Sequence, residues 1–141
     1  MYMKIKTRED KVAEFHRAMG LDLGSEPRVS LLALRASLIQ EETSEVCQVM
    51  RDMERLLEYG KSIDDETWEH FMKELADLQY VLSGTIVSFD RTYGTDFDVA
   101  FNRVHTSNMS KLDDEGKPVK NEMGKVTKGP NYQPASMKGI V

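Results

Sequence analysis

The sequence has little cysteine and no long apolar run, and each shortage excludes a class of protein. Among 141 residues there is one cysteine, Cys47, so an intrachain disulfide and a zinc site made of paired cysteines are excluded. We expect Cys47 to be a small packed residue. No apolar stretch approaches the roughly 20 residues of a membrane-spanning helix, and the first residues lack the apolar segment of a signal peptide. We therefore expect a cytoplasmic protein with no membrane partner.

Basic residues are also fewer than acidic ones. Lys and Arg number 19 against 24 Asp and Glu, which gives a formal net charge of −5. Capture of a nucleic-acid backbone normally relies on a basic surface, so we expect no nucleic-acid polymer as a partner. Hydrophobic residues make up 40% and charged residues 30% of a chain of ordinary domain length. This balance is typical of one globular domain.

Apolar residues recur at spacings of three and four along four stretches, which predicts an all-α protein. We predict helices over residues 9–19, 31–59, 65–89 and 97–108. Ser30 is the predicted N-cap of the second helix and Asp64 that of the third. Gly20 and Gly60 are the predicted stops of the first two helices.

The composition of the sequence changes from Lys111 onward. Gly and Pro interrupt short polar pieces there, and such pieces cannot sustain a helix. We predict a helical domain over residues 1–110 and an irregular tail over 111–141 that belongs to the same domain. The segments 117–120 and 125–128 could pair as a small ribbon, and disorder of the free tail is the alternative.

Two acidic clusters interrupt the apolar stripes of the second and third predicted helices. Glu41, Glu42 and Glu45 form the first cluster, and 28 residues separate it from the second cluster, Glu74 and Asp77. Residues three or four apart share a helix face, so each helix carries an acidic patch whose like charges repel. A solvated acidic face is the plain alternative, but it does not explain why both clusters interrupt stripes that otherwise face a core. If the two helices pack antiparallel, the five carboxylates converge.

Converging carboxylates favour a hard divalent cation. Mg²⁺ or Mn²⁺ suits such oxygen ligands, and Mg²⁺ commonly binds through a few carboxylates together with substrate phosphates. The helical rival is a di-iron bundle, which requires Glu-x-x-His motifs. None of the three histidines satisfies that motif, since His16, His70 and His105 follow Ala13, Thr67 and Asn102 by three positions. Di-iron chemistry is therefore disfavoured.

A polar stretch at the end of the fourth predicted helix offers groups that suit a nucleotide. The Asn108 amide could read the edge of a base, and the Lys111 ammonium could contact a phosphate. The alternative for this stretch is an ordinary polar helix terminus. Tyr80, one turn beyond Asp77, is interpreted first as a core residue and second as a platform on which a base stacks. His105 is interpreted as a hydrogen-bonded structural residue.

The spacing Glu41-Glu42-x-x-Glu45 followed by Glu74-x-x-Asp77 resembles the EExxE…ExxD signature of the MazG-like all-alpha nucleoside triphosphate pyrophosphohydrolases. This superfamily includes dimeric dUTPases and phosphoribosyl-ATP pyrophosphohydrolase. The likeness extends through residues 74–81 and 104–111 and through a tail at 124–132 that is typical of a small single-domain branch. The gap between the acidic clusters is long for the family, so we expect an extended loop around residues 61–65.

The resemblance implies a four-helix-bundle-like MazG fold that is completed by oligomerisation, as a homodimer or a homotetramer. Residues 1–110 would then be the catalytic domain. It implies that Glu42, Glu45, Glu74 and Asp77 hold Mg²⁺, for which Mn²⁺ can substitute, and that Glu41 adds a ligand or positions water. It also implies that Asn108 and Lys111 contact the nucleotide, and we expect Tyr80 to join them.

The expected reaction is Mg²⁺-dependent conversion of a (d)NTP to a (d)NMP and pyrophosphate, in control of the nucleotide pool. We expect Glu41, Glu42 and Glu45 to be the catalytic acids, and we lean toward a guanine nucleotide as substrate. The alternatives left open are dUTP or dCTP, phosphoribosyl-ATP, and a non-catalytic helical dimerisation or regulatory module.

Overall fold

Four α-helices organise the part of the chain that the computed structural model describes, residues 4–140. They are α1 (Arg8–Met19), α2 (Val29–Glu58), α3 (Asp65–Phe89) and α4 (Thr95–Met109). No strand longer than a single bridge occurs between residues 4 and 140. The prediction of an all-α protein with an irregular tail is therefore confirmed. None of the helices in this range is long and apolar enough to cross a membrane.

The ends of α1 and α3 follow from local sequence. Thr7 Oγ1 accepts from the Asp10 backbone N–H at 3.1 Å and Asp10 accepts from the Thr7 N–H at 3.0 Å, a reciprocal capping box. Gly20 ends α1 in the left-handed conformation with φ 68°, as predicted. Asp64 Oδ1 accepts from the Thr67 N–H at 2.8 Å, so the predicted cap of α3 is confirmed.

The predicted start of α2 is wrong. The helix begins at Val29 rather than Leu31, and Ser30 lies inside its first turn instead of capping it. The residue before the helix, Arg28, is extended and makes no side-chain cap. Its guanidinium instead binds both carboxylate oxygens of Asp22, at 2.9 and 2.8 Å. This bidentate pair fixes the loop that leads into α2, and the first helical residue follows from that anchor.

The connection between α2 and α3 lies where the predicted helix ends place it, and it is short rather than extended. It comprises residues 59–64 only, since α2 ends at Glu58 and α3 begins at Asp65. Most of the 28 residues that separate the two acidic clusters are therefore helical. The long spacing lengthens both helices beyond the acids rather than extending the loop.

The chain divides into two compact units, residues 1–94 and 95–141. In the first unit α3 packs against both α1 and α2. Val12, Ala13 and Val87 form the buried cluster between α1 and α3, while Val46, Val49 and Met53 are buried along α2. Arg35 reaches the later part of α3 and Glu45 its earlier part, so α2 and α3 run antiparallel. The acid-bearing segments of these two helices therefore lie side by side.

The second unit consists of α4 and the tail. Arg103 on α4 donates to the backbone carbonyls of Ser136 and Lys138 at 3.0 and 2.9 Å, and Ser107 donates to the carbonyl of Gln133 at 2.7 Å. Further along, an antiparallel bridge joins Lys120 to Val126. The predicted pairing of 117–120 with 125–128 is thus found at that bridge.

Candidate metal centre

Three carboxylates from α2 and α3 meet in one cluster. Glu42, Glu45 and Glu74 each place an oxygen within 4.8 Å of the oxygens of the other two. Glu42 and Glu45 share a face of α2 because they are three residues apart, and the antiparallel packing of α3 brings Glu74 opposite them. Three like charges this close repel one another, and a divalent cation between them would offset that repulsion.

Two oxygens of this cluster have no hydrogen-bond donor. Glu42 Oε2 and Glu74 Oε2 are buried and find no partner among the described residues. The Glu74 side chain is only 6% exposed. A buried carboxylate oxygen without a partner is costly, because it has lost its water and gained nothing in exchange. These residues therefore fit a hard divalent cation such as Mg²⁺, which takes oxygen ligands of this kind.

The protonation of the cluster reflects the same crowding. Hydrogen bonding with Glu74, then burial and the charge of Glu42, raise the pKa of Glu45 above its ordinary value. Burial acts to raise the pKa of Glu74 too, but hydrogen bonds with Lys73 and Glu45 outweigh burial and lower it. The two shifts run in opposite directions, so Glu45 takes up a proton more readily than Glu74 does. A bound cation would favour the ionised form of all three carboxylates.

The outer oxygen of Glu74 is held by two neighbours on α3. Glu74 Oε1 accepts from His70 Nε2 at 3.0 Å and from Lys73 Nζ at 3.2 Å. Lys73 also pairs with Asp77 Oδ2 at 2.8 Å. These two contacts, with Asp77 the stronger influence, raise the pKa of the Lys73 ammonium, which is therefore firmly charged.

The predicted ligands divide into two groups. Glu42, Glu45 and Glu74 are brought together, whereas Glu41 is exposed and Asp77 binds Lys73, so neither joins the three-carboxylate cluster. The ligand and catalytic roles of all five acids stay predictions.

Tyr80, Asn108 and Lys111 are the predicted nucleotide contacts. The Tyr80 ring packs edge to face on Phe15, with ring centres 5.7 Å apart, and the side chain stays partly exposed. Asn108 is exposed near the end of α4, and its carbonyl accepts from the Lys111 N–H at 3.2 Å. Asn108 and Lys111 belong to the second unit, and their role as substrate contacts stays a prediction.

Sequence reasoning missed His70 and Lys73 as partners of the acids. The signal was present, since His70 precedes Glu74 by four residues and Lys73 precedes Asp77 by four.

A cavity of about 370 Å³ adjoins the cluster between α2 and α3. His70, which contacts Glu74, forms one side of it. Val49 and Leu56 supply apolar surface, and the polar lining consists of Asp52, Arg55, Glu66, Thr67 and His70. The cavity thus combines an apolar wall with both donors and acceptors.

Residues 12–108 match the family model described as phosphoribosyl-ATP pyrophosphohydrolase. The match includes both acidic clusters and covers about two thirds of the chain. A comparison with curated proteins finds no match. Because the family model spans well over half of the sequence, the chain belongs to the phosphoribosyl-ATP pyrophosphohydrolase family of the MazG-like all-alpha superfamily.

Proposed function

We propose that this protein is a Mg²⁺-dependent nucleoside triphosphate pyrophosphohydrolase that acts on the nucleotide pool of the cytoplasm. It converts a (d)NTP to a (d)NMP and pyrophosphate. The observation that carries the proposal is the pair of buried, unpartnered oxygens, Glu42 Oε2 and Glu74 Oε2, within a cluster of three carboxylates. Membership of a pyrophosphohydrolase family supports a phosphoric anhydride as the bond that is cut.

Each acid has a distinct part in the proposed reaction. Glu42, Glu45 and Glu74 hold the cation, and Asp77 joins them once it is freed from Lys73. Bound Mg²⁺, or Mn²⁺ in its place, supplies positive charge that stabilises the phosphate oxygens and favours attack by water. Glu41, exposed beside the cluster, orients the water and accepts its proton. The new bond joins the water oxygen to the α-phosphorus, and the bond to the bridging oxygen breaks, which releases pyrophosphate.

The cavity beside His70 supports a guanine nucleotide as the substrate. A guanine base offers N–H donors on one edge and the acceptors O6 and N7 on another. Asp52 and Glu66 carry acceptors, and Arg55 carries the donors that commonly pair with O6 and N7. We propose that the base enters this cavity. As a separate proposal from the sequence, Asn108, Lys111 and Tyr80 contact the nucleotide.

Phosphoribosyl-ATP is the second candidate substrate, because the description of the matched family names it. It carries the same triphosphate, so the carboxylates would act in the same way. The two candidates differ in the base, since guanine presents adjacent N1–H and N2–H donors to Asp52 and Glu66, whereas the only N–H donors of adenine are on its exocyclic amino group. The competing deoxypyrimidine substrates, dUTP and dCTP, are smaller and would fill the cavity less completely.

The proposed active form is a homodimer or a homotetramer. Large apolar side chains of α2 and α3 stay exposed in the single chain, among them Leu32, Leu34, Met50, Leu57, Trp68 and Met72. A soluble monomer rarely leaves so much apolar surface in contact with water. A second copy of the chain would cover these faces and complete the helical bundle. Light scattering coupled to gel filtration measures the assembly directly.

A substrate screen tests the proposed activity. The protein is incubated with Mg²⁺ and each of the eight common nucleoside triphosphates, dUTP or phosphoribosyl-ATP, and both pyrophosphate and the monophosphate product are measured. We expect GTP or dGTP to be cleaved fastest. Glu45→Gln should lose at least about a hundredfold in rate, because it removes a ligand charge. Glu54→Gln, an exposed acid further along α2, should retain the wild-type rate. Absence of pyrophosphate with every substrate would favour a non-catalytic module.

A further inference from the structure

Lys73 occupies the position from which a cation would bind Glu74 and Asp77. Its ammonium lies 3.2 Å from Glu74 Oε1 and 2.8 Å from Asp77 Oδ2. Apart from His70, no other basic side chain of residues 4–140 pairs with either acid. The ammonium thus offsets part of the negative charge of Glu74 and Asp77 in the absence of a metal.

The Lys73 side chain is free to leave this position. It is 63% exposed, so its displacement would break two ion pairs and lose little packing. Glu74 behaves differently, since it is buried and its Oε2 has no partner. The ammonium therefore satisfies only the outer oxygen of Glu74 and leaves the inner one open to a ligand.

We propose that Lys73 is an internal competitor for the divalent cation, whose ammonium holds Glu74 and Asp77 until Mg²⁺ displaces it and then binds the substrate polyphosphate. Two cations cannot share Glu74 and Asp77 without strong repulsion, so metal binding drives the ammonium away. A lysine ammonium is a mobile point charge with three donors, which suits phosphate oxygens. The inference rests on the proposed function for the identity of its polyphosphate.

The proposal predicts that one substitution, Lys73→Met, strengthens the binding of Mg²⁺ and weakens the binding of a polyphosphate. Lys73→Met removes the competitor, so Mg²⁺ alone should bind more tightly, by about three- to tenfold, as expected for the loss of two ion pairs made by an exposed ammonium. The same variant lacks the ammonium that contacts the polyphosphate. At saturating Mg²⁺, imidodiphosphate, a nonhydrolysable analogue of pyrophosphate, should therefore bind about tenfold more weakly. Replacement of a lysine with a purely structural role would not tighten Mg²⁺ binding and weaken imidodiphosphate binding at the same time.

Isothermal titration calorimetry measures both affinities on the full chain. Lys61→Met is the matched control, because it removes the same charge from an exposed position between α2 and α3. It should change either affinity by less than about twofold. Lys73→Arg keeps the charge and should leave Mg²⁺ affinity within about threefold of wild type. Unchanged or weaker Mg²⁺ binding by Lys73→Met would overturn the proposed competition between Lys73 and the cation. Unchanged imidodiphosphate binding would overturn the proposed contact between Lys73 and the polyphosphate.

Nuclear magnetic resonance of protein labelled with ¹³C-lysine follows the displacement itself. The ε-methylene signal of Lys73, assigned by its loss in Lys73→Met, should move on Mg²⁺ saturation toward the position of free lysine. A Lys73 signal that stays in place while Mg²⁺ binds would refute the proposal. Neither measurement needs turnover, so a protein that binds Mg²⁺ as described but cleaves no triphosphate would disprove only the proposed function.

Discussion

The Arg35 guanidinium lies against the backbone of α3 at Gly84, where a β-carbon would stand 2.5 Å from Nη2. Nη2 donates to the Val81 carbonyl at 2.7 Å, and Nε donates to Thr85 Oγ1 at 3.1 Å. Arg35 is 7% exposed and pairs with no acid of the described residues. It precedes Glu42 by two helical turns, and Val81 follows Glu74 by two turns. This contact therefore sets how closely α2 and α3 approach beside the carboxylate cluster.

Gly84→Ala should destabilise the protein although alanine favours helices. Alanine is intrinsically better than glycine in a helix by about 1 kcal/mol. The new methyl would collide with the buried guanidinium, and overpacking of this kind costs about 1 to 3 kcal/mol. We expect a net loss of about 1 kcal/mol in the free energy of unfolding, measured by urea denaturation.

Ala76→Gly, the reverse substitution at an exposed site of α3, is the control for helix propensity. Ala76→Gly changes helix propensity alone and should lose about 1 kcal/mol. If propensity governed position 84 as well, Gly84→Ala would gain a similar amount. A gain in stability would therefore show that Arg35 does not need the space at Gly84.

The fold was predictable wherever a local rule determined it. The apolar periodicity located all four helices, and Asp64 and Gly20 marked two of their ends. The Arg35 contact was not predictable from the sequence. An arginine interrupts the apolar pattern of a helix, a glycine lowers helix propensity, and neither residue by itself indicates a contact with the other. Their complementarity exists only once α2 and α3 are packed. Ser30 was misplaced for a similar reason, since the pairing of Arg28 with Asp22 determines where α2 begins.

Glu74→Gln should separate a metal site from a solvated acidic surface. The substitution removes one of three clustered charges, so the variant without metal should melt at the same temperature as wild type or above it. Mg²⁺ should raise the melting temperature of wild type, because a ligand that binds only the folded state stabilises it. The variant should lose most of that rise. Thermal melting with Mg²⁺ and with EDTA measures both effects.

Glu69→Gln is the control for this experiment. Glu69 lies on α3 like Glu74 but is exposed and outside the cluster. Its response to Mg²⁺ should match that of wild type. An equal Mg²⁺-induced rise in Glu74→Gln would argue that the cation does not bind at the cluster.

The candidate site was predictable in composition but not in detail. Helical spacing placed Glu42 beside Glu45, and antiparallel packing explains why Glu74 meets them. Asp77 could either join the carboxylate cluster or pair with Lys73, and helical spacing alone did not decide between the two; it pairs with Lys73. Spacing shows which side chains share a face, but burial decides which of them lose their water. That is why the unpartnered oxygens of Glu42 and Glu74 emerged only from the structure.

The loop between α1 and α2 should make stability depend on pH in the acid range. Hydrogen bonds from Arg28, and then from Ser25, lower the pKa of Asp22 to about 2, below its ordinary value of 3.8. Because the folded-state pKa is depressed, the ionised Asp22 stabilises the fold fully above the unfolded value. That contribution is lost as the pH falls from about 4 through about 2.

Comparison of wild type with Asp22→Asn isolates this contribution. Asparagine cannot ionise, so the variant should be less stable than wild type at pH 7 and by a similar amount at pH 5. The difference should then shrink between pH 4 and pH 2, as protonation makes wild-type Asp22 neutral like the asparagine. Urea unfolding at each pH gives the free energies. A difference that stayed constant down to pH 2 would mean that the charge of Asp22 does not hold the loop, and that shape and neutral hydrogen bonds do.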